Sequence, residues 1–515
     1  MAVFLADLLP KIQLNKALPA IPEIEITGIS DNSAKVKPGH IFVAIKGYEF
    51  DGHNYIDHAI AQGAVAVIAE RDVKAYVPII VVPDSRIALA QLCNAWHGYP
   101  AEAMKMIGVT ASNGKTTTSF MIDSVLSSHY PMTGLIGTVV VKDGRQTISA
   151  DLTTPSAHEL YGILARMRDN GCSHVTMEVS SAGQELNRVH GVPYSIATFN
   201  NVTREHIDFH GSFENYWFHK TKLLKNLAPT STAVLNADEP LIAGLQNEIQ
   251  ADSITYSLKN NPAHIQIEDI DLSTGAGIFR YRIPQDISSR NFSLPACDHH
   301  FHLKVLGLHN IYNAAVAITV GKLCNVPDET IESGLAQFGG VERRFQLIYD
   351  GDFKVIDDHF ANTGNIDITL TTLGLMKYNK LHLLIAIRGS RGVVVNRENT
   401  ETVVKWLPKL PFASLVLTDS LECAGVHDVV SPAERETVLN VFDEAGIKYR
   451  HYPKLSDAIH SILEAAGAGD VVLMGGCQGL DPGAHIALPF LAQRHSLPER
   501  EKILKILEGR VAGSS

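Results

Sequence analysis

The residues that could do chemistry are concentrated first in the segment 108–116, which reads GVTASNGKT. An apolar run precedes this segment and a helical pattern follows it. Free backbone N–H groups and the positive end of a helix dipole would therefore face an anion. Lys115 would neutralise the β and γ phosphates of a nucleotide, and the Thr116 hydroxyl would ligate Mg²⁺. The loop residues assigned to the nucleotide are Asn113, Gly114, Lys115, Thr116 and Thr117.

The spacing of this loop departs from the strict phosphate-loop pattern. Five residues rather than four separate Gly108 from Gly114, so the strand before the loop and the helix after it must support the interpretation. A Gly-Lys-Thr loop without a ligand is the alternative. The order of strand, loop and helix favours a nucleotide phosphate site.

Carboxylate and imidazole groups follow at two places. The segment 177–181 (MEVSS) comes after an apolar strand, so Glu178 would lie at the carboxyl end of a sheet, where ligands of such folds bind. Glu178 is a candidate Mg²⁺ ligand, with a solvated strand-end glutamate as the alternative. The segment 205–210 (EHIDFH) offers further oxygen and imidazole ligands. The run 298–302 (DHHFH) could also suggest a metal, but exposed loop histidines are expected there.

Composition excludes several classes of protein. The 515 residues exceed one core and suggest about three domains of roughly 150 residues. Apolar residues make up 45% and charged residues 19%, as in globular proteins. No apolar run approaches the roughly 18–20 residues of a membrane span, and no signal-peptide pattern opens the chain, so we expect a cytoplasmic protein. A monomer is expected.

Charge and cysteine content indicate which partners to expect. The formal net charge is −11, which disfavours nucleic acid because such binding depends on clustered Lys and Arg. A small anionic ligand in a local pocket remains compatible with this charge. The six cysteines form no CxxC pair, which is typical of reduced thiols rather than of a disulfide framework or a zinc site.

The periodicity predicts an α/β protein with three domains that position these residues. Alternating short strands and helices in 1–100 indicate a small α/β domain. Residues 101–342 would form a phosphate-loop domain with a parallel sheet, in which 254–304 is an antiparallel insertion. Residues 343–515 resemble a Rossmann-like doubly wound domain.

Several ordered motifs resemble the Mur ligases of peptidoglycan synthesis, most closely the branch that adds the third residue, the UDP-N-acetylmuramoyl-tripeptide synthetases. The motifs lie at 26–33, 36–44, 108–118, 134–138, 153–155, 178–181, 188–189, 201–210, 309–313 and 343–345. The resemblance covers nearly the whole chain. It implies an ATP-dependent ligase with ATP, two Mg²⁺ ions, a UDP-linked muramoyl peptide and an amino acid as partners.

The resemblance also implies roles for single residues. Glu178 and His206 would serve the Mg²⁺ ions, and Lys220 would carry a carbamate, an anionic oxygen ligand for the second ion. An ordinary surface lysine is the alternative for Lys220. Ser30, Thr153, Thr154, Ser180 and Arg188 would face the nucleotide-sugar peptide, and Asn310, Arg344 and Asp358 would lie near the adenine, the interdomain hinge and the ribose.

Ligases of this type activate a carboxylate as an acyl phosphate, which an amine then displaces. Charge repulsion between the carboxylate and the triphosphate is the barrier that Lys115 and Mg²⁺ would lower. Together with Lys115, the catalytic set would consist of Glu178, His206 and Lys220. No nucleophilic side chain is needed.

The sequence of the third domain differs from the motifs of that Mur ligase branch at two segments. Segment 418–423 reads TDSLEC where the branch has Asp-Asn-Pro-Arg, and 475–481 reads GGCQGLD in place of Gly-Lys-Gly-His-Glu. Since Leu or Cys cannot replace an arginine fork on a carboxylate, an acceptor other than meso-diaminopimelate is predicted. Arg388, Arg391 and Arg397 could still hold an anion, with a solvated basic face as the alternative. Smaller departures near the ATP loop are Ala111, Ala182 and Glu205.

Two other functions remain as alternatives. A catalytically weak homologue could bind nucleotide or precursor as a regulator or scaffold, but the presence of Lys115, Thr116, Glu178, His206 and Lys220 argues against it. A phosphotransferase or NTPase without amide synthesis would not need the 153–155 and Arg188 motifs. A paralogous amide ligase of a specialised pathway is compatible with the same residues.

Overall fold

Three sheets with parallel strands, of four, eleven and six strands, organise the chain. The computed structural model describes residues 2–15, 23–48, 50–203, 207–423, 425, 428–508, 510 and 512, with the side chains of 207 and 208 excepted. Within these residues no helix is long and apolar enough to cross a membrane. The fold is of the α/β class.

The first sheet has the order β3-β4-β5-β6, and all its strands are parallel. Its elements are β1 (Val3–Phe4), α1 (Leu5–Leu8), β2 (Glu25–Ile26), β3 (Gly28–Ser30), β4 (His40–Val43), α2 (Ile56–Ala61), β5 (Ala64–Ala69), β6 (Ile79–Val81) and α3 (Ser85–Trp96). The strand β5 is apolar at every position, as expected for a parallel strand covered on both faces. The helix α3 begins where Asp84 accepts bonds from the N–H groups of Arg86 and Ile87.

The central sheet has the order β10-β9-β8-β11-β7-β12-β13-β14-β15-β16-β19, and β8 to β15 are parallel along it. The elements are β7 (Lys105–Thr110), α4 (Lys115–Ser127), β8 (Thr133–Ile136), β9 (Val140–Lys142), β10 (Thr147–Ser149), α5 (Ala157–Asp169), β11 (His174–Glu178), α6 (Ser181–Glu185), β12 (Tyr194–Phe199), α7 (Ile207–His210), α8 (Phe213–Lys225), β13 (Thr232–Asn236), α9 (Pro240–Gly244), β14 (Asp252–Ser257), β15 (Ile265–Asp271), β16 (Ala276–Ile283), β17 (Ile287–Ser288), β18 (Ser293–Leu294), β19 (Cys297–Leu306), α10 (Leu308–Leu323) and α11 (Asp328–Gln337).

The third sheet has the order β20-β21-β25-β22-β23-β24, in which only β20 is antiparallel to its neighbour. The elements are β20 (Gln346–Asp350), β21 (Lys354–Asp358), α12 (Thr363–Leu375), β22 (Leu381–Ala386), α13 (Gly392–Trp406), β23 (Phe412–Thr418), α14 (Pro432–Glu444), β24 (Arg450–Tyr452), α15 (Leu455–Ala465), β25 (Val471–Gly475), α16 (Gly483–Ala492) and α17 (Leu497–Leu504). The strand β25 is buried at every position, which suits its place inside a covered parallel sheet.

The antiparallel region of the central unit is continuous with the parallel sheet. Strand β15 pairs in parallel with β14, and β16 and β19 then extend this edge by antiparallel pairing. The DHHFH run lies within β19, so the prediction that it forms a loop is wrong. His300 and His302 are exposed and Phe301 between them is buried, because successive side chains of a strand point to opposite faces.

Candidate active site

Glu178 is a buried acidic side chain at the carboxyl edge of the central sheet. It ends β11, which lies between β8 and β7. Its Oε2 accepts hydrogen bonds from the hydroxyls of Thr116 and Thr138, both at 3.0 Å, and its Oε1 accepts one from the Thr138 backbone N–H at 2.9 Å. The side chain is fully buried. Burial raises the pKa of Glu178, while the Thr138 N–H and the charge of Lys115 oppose that rise.

Two lysines meet at one carbonyl of the phosphate loop. Lys115 Nζ donates to the backbone oxygens of Ala111 at 2.9 Å and Ser112 at 3.0 Å. Lys220 Nζ, on α8, donates to the same Ala111 oxygen at 2.7 Å and lies 4.9 Å from the centre of the Tyr216 ring. Lys220 is only 2% exposed, which excludes its alternative as an ordinary surface lysine. Two ammonium groups thus share one acceptor at the base of the loop.

Two glycines permit this close arrangement. Gly114 has φ +85°, and a Cβ there would lie 2.8 Å from Asn313 Oδ1. At Gly137 a Cβ would lie 2.3 Å from Glu178 Oε1, closer than any side chain tolerates. Ala111 is absent from the positive-φ residues of the described chain, so its methyl group needs no left-handed backbone.

The residues expected to face the peptide substrate surround the backbone of Glu178. The Thr154 hydroxyl donates to the Glu178 carbonyl at 3.0 Å and accepts from the Ser180 N–H at 3.0 Å. Arg188 donates to the Thr154 carbonyl at 2.8 Å. Thr153 lies 3.0 Å from the Thr138 hydroxyl. The structure therefore brings these four predicted residues beside the phosphate loop.

The loop residue Asn113 connects the phosphate loop to the segment after β12 and to the third unit. Asn113 donates its N–H to Asn201 Oδ1 at 2.9 Å, and its own Oδ1 accepts from Asn365 Nδ2 at 2.6 Å. Asn365 belongs to α12, so the third unit contacts the loop directly. Thr117 is buried in the first turn of α4.

Asn310 is buried on α10, where its amide donates to the Leu306 carbonyl at 2.7 Å and its oxygen accepts from Asn313. A cavity of 460 Å³ lies beside this helix. Its lining comprises Leu258, Lys259, Ile270, Asp271, Leu272, Ser273, Leu308, Tyr312 and Leu375. The cavity is partly open to solvent, and both apolar and polar side chains line it.

Two neighbouring arginines lie just before β20, of which Arg343 is buried and Arg344 is half-buried. Arg343 has φ +56° and bonds Asp357, Asp481 and the carbonyls of Gly476 and Cys477. Burial lowers the pKa of Arg344, and the neighbouring Asp358 opposes that effect. Burial likewise raises the pKa of Asp358, whose carboxylate accepts bonds from the Phe345 N–H and the Thr369 hydroxyl.

The two divergent segments of the third unit lie at the carboxyl ends of β23 and β25. Glu422 accepts bonds from the N–H groups of Leu455 at 3.0 Å and Ser456 at 2.9 Å, and thereby caps α15. Leu421 is 52% exposed. The Cys477 thiol is buried and donates to the Phe360 carbonyl at 3.2 Å.

Two predicted residues, Ser30 and Arg391, lie away from this group. Ser30 ends β3 in the first sheet and donates to the Asn32 carbonyl at 2.9 Å. The Arg391 side chain is exposed, and its N–H donates to Glu434 at 2.9 Å. His206 lies outside the described residues.

Three residues of the site, Gly137, Thr138 and Arg343, were not predicted from the sequence. Thr138 supplies two of the three bonds to Glu178, and only its place in the 134–138 motif indicated a role. Arg343 stands beside the predicted Arg344, and only the fold shows which of the two pairs with Asp357.

Comparison with known proteins gives consistent results. The Mur ligase middle domain matches residues 109–321, and the Mur ligase family catalytic domain matches 25–97. A Bacillus licheniformis protein named UDP-N-acetylmuramoyl-L-alanyl-D-glutamate–2,6-diaminopimelate ligase is 33% identical over 462 residues, 88% of this chain and 89% of that protein.

Two solved structures show the same fold. One of a ligase with that same name has a TM-score of 0.66 at 24% identity and covers 96% of this chain and 100% of that chain. A MurF ligase from Thermotoga maritima in complex with ADP has a TM-score of 0.60 at 19% identity and covers 91% of this chain and 98% of that chain.

Proposed function

The chain belongs to the Mur ligase family of ATP-dependent ligases that join an acid to an amino acid, and from that premise we propose its substrates. The donor is a carboxylate of a UDP-linked muramoyl dipeptide or a related precursor. The acceptor is an amino acid other than meso-diaminopimelate. Residues 1–100 bind the nucleotide sugar, 101–342 bind ATP, and 343–515 bind the amino acid.

One observation supports the proposed chemistry most strongly. A fully buried carboxylate, Glu178, contacts the Thr116 hydroxyl of the phosphate loop, while Lys115 and Lys220 converge on Ala111. Cations and a metal-ligating carboxylate next to a phosphate loop are what carboxylate activation requires, since both reactants are anions.

The side chains present fit the proposed magnesium ions. Thr116, Glu178 and a carbamate on Lys220 would supply oxygen ligands, the kind that Mg²⁺ prefers, with His206 as a further candidate. Carbamylation of Lys220 would also remove one of the two ammonium groups that share the Ala111 carbonyl. When bound, the ions would neutralise charge on the transferring phosphoryl group.

The proposed reaction has two steps. A carboxylate oxygen attacks the γ-phosphorus of ATP and ADP leaves, and the amine then attacks the acyl carbon, releases phosphate and loses a proton. Lys115 would hold the phosphates, and Arg188 with the Thr154 turn would orient the donor. ATP as the nucleotide accords with the ADP bound by the Thermotoga maritima relative.

The proposed acceptor differs from the one in the relative's name. The segment 418–423 (TDSLEC), which corresponds to the signature with the recognition arginine in that branch, contains no arginine, and its Leu421 is exposed. Glu422 is engaged at the start of α15 rather than free to bind an amine. Without an arginine fork at this position, the second amino-acid centre of diaminopimelate loses its carboxylate partner.

A ligation assay tests this proposal. The chain is incubated with MgATP, UDP-muramoyl-dipeptide and one of a panel of amino acids, and ADP release and product mass are measured. We expect one amino acid to give a product of the summed masses less water, with one ADP per product. Lys115→Ala should abolish both signals.

Efficient ligation of meso-diaminopimelate would contradict the acceptor proposal. ATP hydrolysis without product for every amine would contradict the proposed substrates.

A further inference from the structure

Three side chains from three separate elements converge on one side of α8. Glu185 ends α6, His210 ends α7 and His219 lies within α8. One possible ligand atom from each lies within 4.8 Å of the other two. None of the three has a role in the proposed ligase chemistry.

The separations suit a small divalent cation. His210 Nδ1 lies 2.8 Å from Glu185 Oε2, and His219 Nε2 lies 3.9 Å from the same oxygen. Tetrahedral coordination with bonds of about 2.1 Å places ligand atoms roughly 3.4 Å apart. The two observed distances bracket this value, so small side-chain rotations would complete the site.

The surroundings hold these ligands in place. The His210 side chain is 0% exposed, and its Nε2 lies 2.9 Å from the Ser181 hydroxyl. The other carboxylate oxygen of Glu185 accepts a bond from Tyr48 at 3.2 Å. Partners on the non-ligating atoms of histidine and carboxylate are the usual outer layer of a metal site, because they fix the ring and the carboxylate orientation.

We propose that Glu185, His210 and His219 bind one divalent cation of the zinc class. Two imidazoles and one carboxylate suit Zn²⁺, Co²⁺ or Ni²⁺ better than Mg²⁺, which prefers oxygen ligands alone. Three protein ligands leave one position for water. This site shares no residue with the oxygen-rich group around Glu178.

The cation would fasten α6 and α7 to α8. His219 directly precedes Lys220, and the Tyr216 ring lies 5.5 Å from the His210 ring and 4.9 Å from Lys220 Nζ. Metal binding would therefore stiffen the helix that presents Lys220 to the phosphate loop. Its main effect is expected on stability rather than on the reacting atoms.

Zinc titration of the untagged, metal-free full chain tests this proposal. ZnCl₂ is added in the presence of excess Mg²⁺, stoichiometry and affinity are measured by calorimetry, and the zinc environment by X-ray absorption. We expect one Zn²⁺ per chain with nitrogen and oxygen ligands only, and a zinc-dependent rise in Tm. His219→Ala and Glu185→Gln should each weaken binding by more than about 100-fold, which is the upper end of what an outer-layer change costs.

Two further variants serve as controls. His300→Ala removes an exposed histidine of β19, and Glu178→Gln alters the proposed magnesium group, so both should retain parental zinc affinity. In EDTA, His219→Ala should unfold at the parental Tm. A loss of zinc affinity in this variant would then reflect the missing ligand and not a folding defect. Absent binding, unchanged affinity in His219→Ala and Glu185→Gln, or sulfur ligands would overturn the proposal.

Discussion

At the scale of single residues, Glu178 shows a conflict between stability and chemistry. A carboxylate with 0% exposure loses its hydration, and three hydrogen bonds offset only part of that cost, so its pKa is raised above the ordinary value of 4.5. Such a group destabilises the folded chain when it is charged. Its retention beside a phosphate loop is understandable if it ligates a cation during turnover.

Glu178→Gln should raise the Tm of the ligand-free chain at pH 7 while abolishing ATP-dependent ligation. Because the folded pKa lies above the unfolded value, the charged form destabilises the folded state at pH above about 4.5, and this cost disappears as the pH falls below 4.5. The Tm gain of the variant should therefore vanish in acid. Thermal unfolding between pH 4 and pH 8 measures it, and a lower Tm at pH 7 would refute the electrostatic argument.

Gly137→Ala should reduce kcat by about 100-fold, because displacement of a catalytic group by about 1 Å has that effect. The new methyl group would lie 2.3 Å from Glu178 Oε1 and push the carboxylate away. Gly244→Ala, where no heavy atom lies within 4 Å of the added carbon, is the matched control and should keep parental kcat. Equal rates for both variants would mean that the position of Glu178 does not matter.

At the scale of elements, two glutamates of the third unit cap the N-termini of helices. Glu434 forms a capping box with Ser431 at the start of α14 and also accepts from the N–H groups of Arg391 and Gly392. Glu422 caps α15 from a neighbouring loop. Both are structural supports at the edge where the acceptor is proposed to bind.

Glu434→Gln should lower stability at pH 7 by about 1 kcal/mol, the usual contribution of a helix cap. Although burial acts in the opposite direction, the bonds from Ser431, Gly392 and Arg391 lower the pKa of Glu434 to about 2. The charged form therefore stabilises the fold above the ordinary value of 4.5, and that contribution is lost as the pH falls toward 2. Denaturant unfolding should show the two chains converging over this window; a constant difference would contradict it.

Glu422→Gln should lower Tm by a few degrees and leave the KM for the acceptor unchanged, since the carboxylate serves α15 rather than the substrate. Steady-state kinetics with the preferred amino acid and a thermal scan are sufficient. A KM increase at unchanged Tm would instead place Glu422 in the acceptor site.

At the scale of the whole molecule, the first and the third unit both contact the central unit, the third unit at the phosphate loop itself. Tyr48 of the first unit contacts Glu185, and Asn365 of the third contacts Asn113. The carboxyl ends of β8, β11, β7 and β12 face this junction. A site assembled from several units can close around its substrates, which would protect an acyl phosphate from water.

Asn365→Asp should raise the KM for ATP by about 10-fold, because a carboxylate beside Asn113 would repel the phosphates. Asn365→Ala removes the same bond without adding charge and should change KM little. Comparing the two variants separates the effect of the added charge from the effect of the lost hydrogen bond to Asn113. Equal KM values for the two variants would show that α12 does not approach the nucleotide.

Much of the fold was predictable because the sequence patterns that indicate it lie within short segments of the chain. Apolar strands followed by Gly114 or Glu178 identified the α/β class and the position of both residues at the carboxyl edge of the central sheet. Contacts between distant segments were not predictable: no local pattern pairs Thr138 with Glu178, or brings Glu185 to His219. Short strands such as β20 and β24 were not predicted, because their sequences show no clear alternation of apolar and polar residues.

The most direct test of the central claim, that this site activates a carboxylate by phosphoryl transfer, is isotope transfer from the donor. UDP-muramoyl-dipeptide with ¹⁸O in its carboxylates is turned over with MgATP and the preferred amino acid, and the released phosphate is analysed by mass spectrometry. The account predicts one ¹⁸O atom in each phosphate, and no turnover for Lys115→Ala. Unlabelled phosphate formed together with the amide product would contradict it.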